Sequence, residues 1–138
     1  MKIIENYPPN FNKIKSVFNN TEEHRAIFSY GDTIYNPYKV EVTPDLERHE
    51  QKHSEQQGTL PEVWWDEYLN NKHFRLEQEI EAYGEQIIFL SEIITDYKLL
   101  EWFKEKIAQA LSGDLYGNML NYGQAVSKLR HYVKNNKK

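Results

Sequence analysis

The stretch that most constrains the fold is "TPDLERHEQKHSEQQG", residues 43–58. Thr43 ahead of Pro44 is a helix start with proline in the first turn, and Gly58 sits where a C-terminal glycine belongs. Between them lies a helix of about three to four turns. Leu46 is its only apolar side chain between Asp45 and Gln57. The face that Leu46 opens continues through His49, His53, Gln56 and Gln57. A helix normally docks through an apolar stripe, and this one has none. Either it lies exposed and laced with ion pairs, or something other than hydrophobic burial holds it.

The rest of the chain supplies ordinary helical stripes. Phe11, Ile14 and Phe18 behind a candidate Asn10 cap predict a short helix over 10–18. Two β-prone runs within 26–36 flank Gly31-Asp32, the kind of pair that closes a hairpin, and Pro37 ends them. Pro61 opens a helix over "PEVWWDEYLNN". A longer one runs from Phe74 to Ile94 with Leu76, Ile80, Tyr83, Ile87, Leu90 and Ile94 in a stripe. Another starts at Asp96, turns Leu99, Leu100, Phe103, Ile107 and Leu111 inward, and stops at Gly113. The last, about 122–134, carries Val126, Leu129 and Val133. With no internal repeat and no linker, residues 1–138 read as one domain. The expected class is mainly α with a small β-hairpin or sheet near the N-terminus, an α+β fold.

Composition removes several chemistries. There is no cysteine, hence no disulfide frame, thiolate zinc cluster or cysteine nucleophile. The net charge of −4 is mild and spread along the chain. It argues neither way about nucleic acid; the one basic run, "VKNNKK", reads as a solvated terminus, and no nucleic-acid partner is expected. No stretch resembles a signal peptide or reaches membrane-spanning length. A soluble, cytoplasmic protein without a membrane partner is the default, although one released by lysis or carried in a virion would look the same. Oligomeric state stays open.

On a helix, His49 and His53 lie one above the other and can aim ring nitrogens at one metal ion. Two neutral imidazoles supply half of a tetrahedral zinc shell. Glu50 lies about 100° round from His49, off the ligand positions but within reach of a water on the metal. That is where a general base for hydrolysis belongs. A third ligand has to come from another helix, and the long one offers Glu77, Glu79, Glu81 and Glu85. At 100° per residue, Glu79 lies within about 70° of the apolar stripe and Glu77 nearer about 90°, while Glu81 and Glu85 point outward. Glu79 is therefore the carboxylate most committed to the interior, where it needs a partner or a metal. The other three read as a solvated face.

"HEQKH" followed by "EIEAY" resembles the gluzincin arrangement, H-E-x-x-H with a glutamate on a downstream helix. The wider run "FSYGDTIYNP", "DLERHEQKHSEQQG" and "WWDEYLNNKHFRLEQEIEAYGEQ", covering residues 25–90, resembles small soluble minimal gluzincins of bacterial and phage genomes. The resemblance implies a zincin-like domain with an active-site helix and a downstream glutamate helix. It implies Zn2+ on His49, His53 and Glu79, with Glu50 activating the zinc-bound water to cleave a peptide or protein substrate. Tyr83 stands where relatives often carry an aspartate behind the metal site. The charges of Glu47, Lys52 and Glu55 depart from the usual pattern around the histidines. In this frame the 26–36 hairpin would hold substrate by strand addition. Trp64, Trp65 and Tyr68 would wall a cleft, with at least one tryptophan in the core. His73, His131, Tyr116 and Tyr122 are the candidates to face an oxyanion. The expected function is a zinc-dependent metallopeptidase. Its alternatives are a catalytically degenerate, metal-stabilised structural or protein-binding domain, possibly phage-associated, and a helical interaction domain without metal.

Overall fold

The computed structural model describes residues 1–138. Six helices and a three-stranded sheet follow in the order β1 (Lys2–Ile4), α1 (Phe11–Val17), β2 (Phe28–Tyr30), β3 (Thr33–Tyr35), α2 (Pro44–Gln57), α3 (Pro61–Asn70), α4 (Lys72–Ile93), α5 (Tyr97–Leu111) and α6 (Tyr122–Asn136). A single 3₁₀ turn, Asp114–Tyr116, joins α5 to α6. The mainly helical α+β class read from the sequence is the class observed. No helix is long and apolar enough to cross a membrane.

The hairpin forms where Gly31-Asp32 places it. β2 and β3 pair antiparallel with Ser29 opposite Ile34, and Gly31 takes φ +62°, a left-handed conformation that glycine adopts without strain. β1 pairs parallel with β3, Ile3 opposite Ile34, so β3 is the central strand. β1 is absent from the sequence reading for a physical reason: three residues carry no periodicity, and their partners are thirty-one positions away.

Helix starts follow local chemistry, with shifts of a residue or two. Asn71 caps α4 by accepting from the Phe74 N–H, so the helix begins at Lys72, two residues before the expected start. Asp96 caps α5 at Leu99, and Asn121 with Gln124 forms a capping box on α6. Thr43 occupies the N-cap of α2 but makes no capping bond. Its hydroxyl donates instead to Asp45 Oδ1 at 2.7 Å. Asn10 likewise caps α1 by position only.

Two apolar clusters form the core. The first joins Ile14, Phe28, Trp64, Trp65, Tyr68 and Leu69 from α1, β2 and α3. The second joins α4, α5 and α6 around Tyr83, Ile87, Ile107, Leu111 and Leu129. Gly84 lets α6 approach α4, since a Cβ there would stand 2.1 Å from the Tyr132 ring. α2 packs mainly on α4 and also touches β2 and α3. Its buried side chains are His49, Glu50, His53 and Gln57, all polar. The face expected from Leu46 through Gln57 thus turns inward, and the exposed-helix alternative falls away.

The α4 stripe is rotated from the expected one. Leu76 and Ile80 are only half-buried, whereas Arg75, Glu79, Tyr83 and Gln86 are buried. The helix has a second inward face, and it is the polar one that meets α2. Glu77 is exposed and pairs with His73, as a solvated face requires. Glu85 is not solvated: its side chain is 18 % exposed, because it accepts from Arg48 on α2 and from Tyr132 on α6.

Candidate metal centre

The α2–α4 contact brings the imidazoles of His49 and His53 against the carboxylate of Glu79. His49 Nε2 stands 3.1 Å from His53 Nε2. Glu79 Oε1 is 3.2 Å from His49 Nε2, and Glu79 Oε2 is 3.1 Å from His53 Nε2. Tetrahedral zinc with bonds of about 2.0–2.1 Å has ligand–ligand edges of about 3.3–3.4 Å. The Nε2–Nε2 contact and the contact of each imidazole with its own Glu79 oxygen are close to such edges. Glu79 is 2 % exposed, and its Oε1, beside His49 Nε2, has no proton donor in hydrogen-bonding geometry. A divalent cation suits this donor set of two imidazoles and one carboxylate.

Glu50 is also buried, with Oε2 3.8 Å from His49 Nε2. Ligand-type atoms of His49, Glu50 and His53 lie within 4.8 Å of one another. The closer approach of both Glu79 oxygens makes Glu79 the stronger candidate for a third ligand and leaves Glu50 beside the group. Burial pushes the Glu50 carboxyl up, against the opposing charges of His53 and His49.

The electrostatics follow from burial and pairing. Burial disfavours charge on His53, but the charge and hydrogen bond of Glu79 outweigh it and raise the imidazole to about 9. Burial works the other way on Glu79, where the charge of His53 and the close approach of both imidazoles hold the carboxyl well below its usual range. The Tyr68 hydroxyl donates to Glu79 Oε2 at 2.6 Å. Burial, reinforced by the Glu79 charge, pushes that phenol well above its ordinary value and keeps it a donor.

Each histidine Nδ1 meets a glutamine. Gln86 Oε1 is 3.1 Å from His49 Nδ1, and Gln56 Oε1 is 2.8 Å from His53 Nδ1. Gln56 was legible as part of the polar face but not as a partner of His53. Gln86 was missed, although it lies two turns beyond Glu79 on the same side of α4. Tyr83, expected behind the site, sets its ring edge against His49 with centroids 4.3 Å apart. Its hydroxyl bonds Tyr116 at 2.8 Å, so it packs against His49 without hydrogen-bonding either histidine.

A cavity of about 60 Å³ adjoins the group, lined among others by Ser29, Trp64, Trp65, Tyr68, Leu115 and Tyr116. It has room for a few waters. Both tryptophans belong to the core and also line this cavity, which joins the two roles expected of them. Of the four oxyanion candidates only Tyr116 lines it; His73, His131 and Tyr122 are exposed elsewhere. The free edge expected of the hairpin is already occupied. The Ser29 carbonyl accepts from Gln57 Nε2 at 2.8 Å and Trp65 Nε1 at 3.0 Å, and the Gly31 N–H donates to Gln57 Oε1 at 2.7 Å. These bonds peg β2 to α2 and α3, so strand addition there requires Gln57 and Trp65 to let go.

No protein-family model, no curated protein and no solved structure matches the chain. The functional reading therefore rests on the site itself.

Proposed function

We propose that the protein is a zinc-dependent hydrolase of the metallopeptidase type, with His49, His53 and Glu79 holding the ion and Glu50 acting as general base. The observation that carries this is the convergence of two Nε2 atoms and both Glu79 oxygens at 3.1–3.2 Å, inside a helix pair to which α2 brings no fully buried apolar side chain. Zinc in such a site supplies Lewis acidity that brings a water toward deprotonation near neutral pH. Glu50 borders the cavity and takes the proton from the attacking water, since it is the one carboxylate of the group not turned onto both histidines. Tyr116, which also lines the cavity, can donate toward a developing oxyanion. Peptide or protein substrate is the class that this reading favours.

The pegged edge of β2 and the small cavity favour a second reading, in which the same three ligands hold a metal that only locks the fold. One pair of measurements separates the two. Metal analysis of the purified wild type and of Glu50→Gln should find about one zinc per chain in both, by the tetrahedral chemistry of the donor set. Wild type should cleave members of a peptide library, and Glu50→Gln should lose at least about 100-fold of that rate. Cleavage by neither protein, with zinc retained, selects the structural reading. Absence of zinc from wild type that has been offered it removes both.

A further inference from the structure

The two glutamines beside the histidines are themselves held, and this fixes where the ring protons sit. One end of the Gln86 amide is 2.8 Å from Asp45 Oδ2. An ionised carboxylate only accepts, so that end is the NH2 and the oxygen faces His49 Nδ1. One end of the Gln56 amide lies 3.1 Å from the Gln78 carbonyl and 3.2 Å from Glu81 Oε1, again two acceptors. Its oxygen therefore faces His53 Nδ1. Both Nδ1 atoms have to carry hydrogen, which frees the Nε2 lone pairs for the shared point between them. Asp45 is in turn set by the Thr43 hydroxyl at 2.7 Å. A chain of bonds thus runs from the start of α2 through α4 and back to a ligand on α2.

We infer that Gln86 and Gln56, aligned by Asp45 and by Gln78 with Glu81, are positioning residues that lock His49 and His53 as Nε2 ligands for one divalent cation. This rests on the metal-site reading above and deepens it. Neutral amides here have a chemical consequence that carboxylates would not. They hold the tautomer without drawing the Nδ1 proton away, so the imidazoles stay neutral donors and Glu79 is the one anionic ligand. A bound divalent ion then keeps a net positive charge for polarising what it meets.

The test uses the whole chain with 15N-labelled histidine and zinc. Long-range proton–nitrogen spectra of the zinc-loaded wild type should show Nε2 coordination and a retained Nδ1–H on both histidines. Coordination through either Nδ1 overturns the inference. Gln86→Leu and Gln56→Leu should each weaken zinc binding by about 10–100-fold in chelator competition. Gln86→Glu alone should also weaken it, because the new carboxylate meets Asp45. Adding Asp45→Asn to Gln86→Glu should restore affinity to within a few-fold, since an amide then aligns a carboxylate in place of the reverse arrangement. Wild-type affinity in both leucine variants, with unchanged circular dichroism, refutes the positioning role while leaving the metal site standing. If the wild type takes up no zinc, the metal reading falls and this inference falls with it.

Discussion

In the proposed metal site, the chemistry at residue scale is a contest between a proton and a metal ion for one point. Without an ion, His53 is protonated at neutral pH because Glu79 faces it, with its imidazole raised to about 9. A folded value above the ordinary 6.5 means that the pair stabilises the metal-free fold fully below about 6.5, and that this is lost as pH climbs through about 9. Zinc has to displace that proton. Apparent zinc affinity should therefore rise by about one log unit per pH unit from 7 toward 9 and flatten above it. Calorimetry in buffers of different ionisation enthalpy should report about one proton released per zinc at pH 7. Release of none would mean that His53 and Glu79 are not the pair the ion enters. Much of the clustering of these side chains was legible in the chain. His49 and His53 announce themselves by spacing, and Glu79 by its angle to the apolar stripe. The bonds from Gln86 to His49, from Asp45 to Gln86 and from Tyr68 to Glu79 were not legible, because each joins two different helices and no local pattern encodes which helices face each other.

At the scale of elements, the α4–α6 crossing turns on one missing methyl. Gly84 sits inside α4, where alanine would ordinarily favour the helix by about 1 kcal/mol. Here the added Cβ would lie within 2.1–2.8 Å of three Tyr132 ring atoms, one of them Cγ, close to the backbone of α6. Tyr132 cannot swing away freely, because its hydroxyl donates to Glu85 Oε2 at 2.8 Å. Overpacking of this kind typically costs about 1–3 kcal/mol, which outweighs the propensity gain. Gly84→Ala should lower the melting temperature by several degrees. In a Tyr132→Ala background the same change should be neutral or stabilising. A stabilising Gly84→Ala in the wild-type background would show that α6 does not approach α4 as described. The helix boundaries themselves came from caps and prolines that act within a few residues. The strand β1 and the second inward face of α4 did not, since each exists only once distant segments have met.

On the scale of the whole molecule, the candidate metal site lies at the seam between two apolar clusters. The cluster of α1, β2 and α3 and the cluster of α4, α5 and α6 each bury their own side chains. α2 joins them with no buried apolar side chain, through His49, Glu50, His53 and Gln57. Gln57 in turn pegs β2, so the grip of the seam on the sheet passes through the same helix. Binding free energy at such a site is also folding free energy, but it should be distributed unevenly. Stripping zinc with a chelator should speed amide exchange most in α2 and in the β2–β3 hairpin, because those elements lose the ion and then the Gln57 bonds. The backbone of α5 and α6 should keep most of its protection, since Ile107, Leu111 and Leu129 pack without reference to α2. His49→Ala should reproduce the chelator pattern in the presence of zinc, and adding chelator to it should change nothing further. Uniform acceleration through all six helices would mean that the seam and the two clusters unfold as one unit. Unchanged exchange in α2 would mean that the buried polar face holds without a metal, through the glutamine bonds and the His53–Glu79 pair alone.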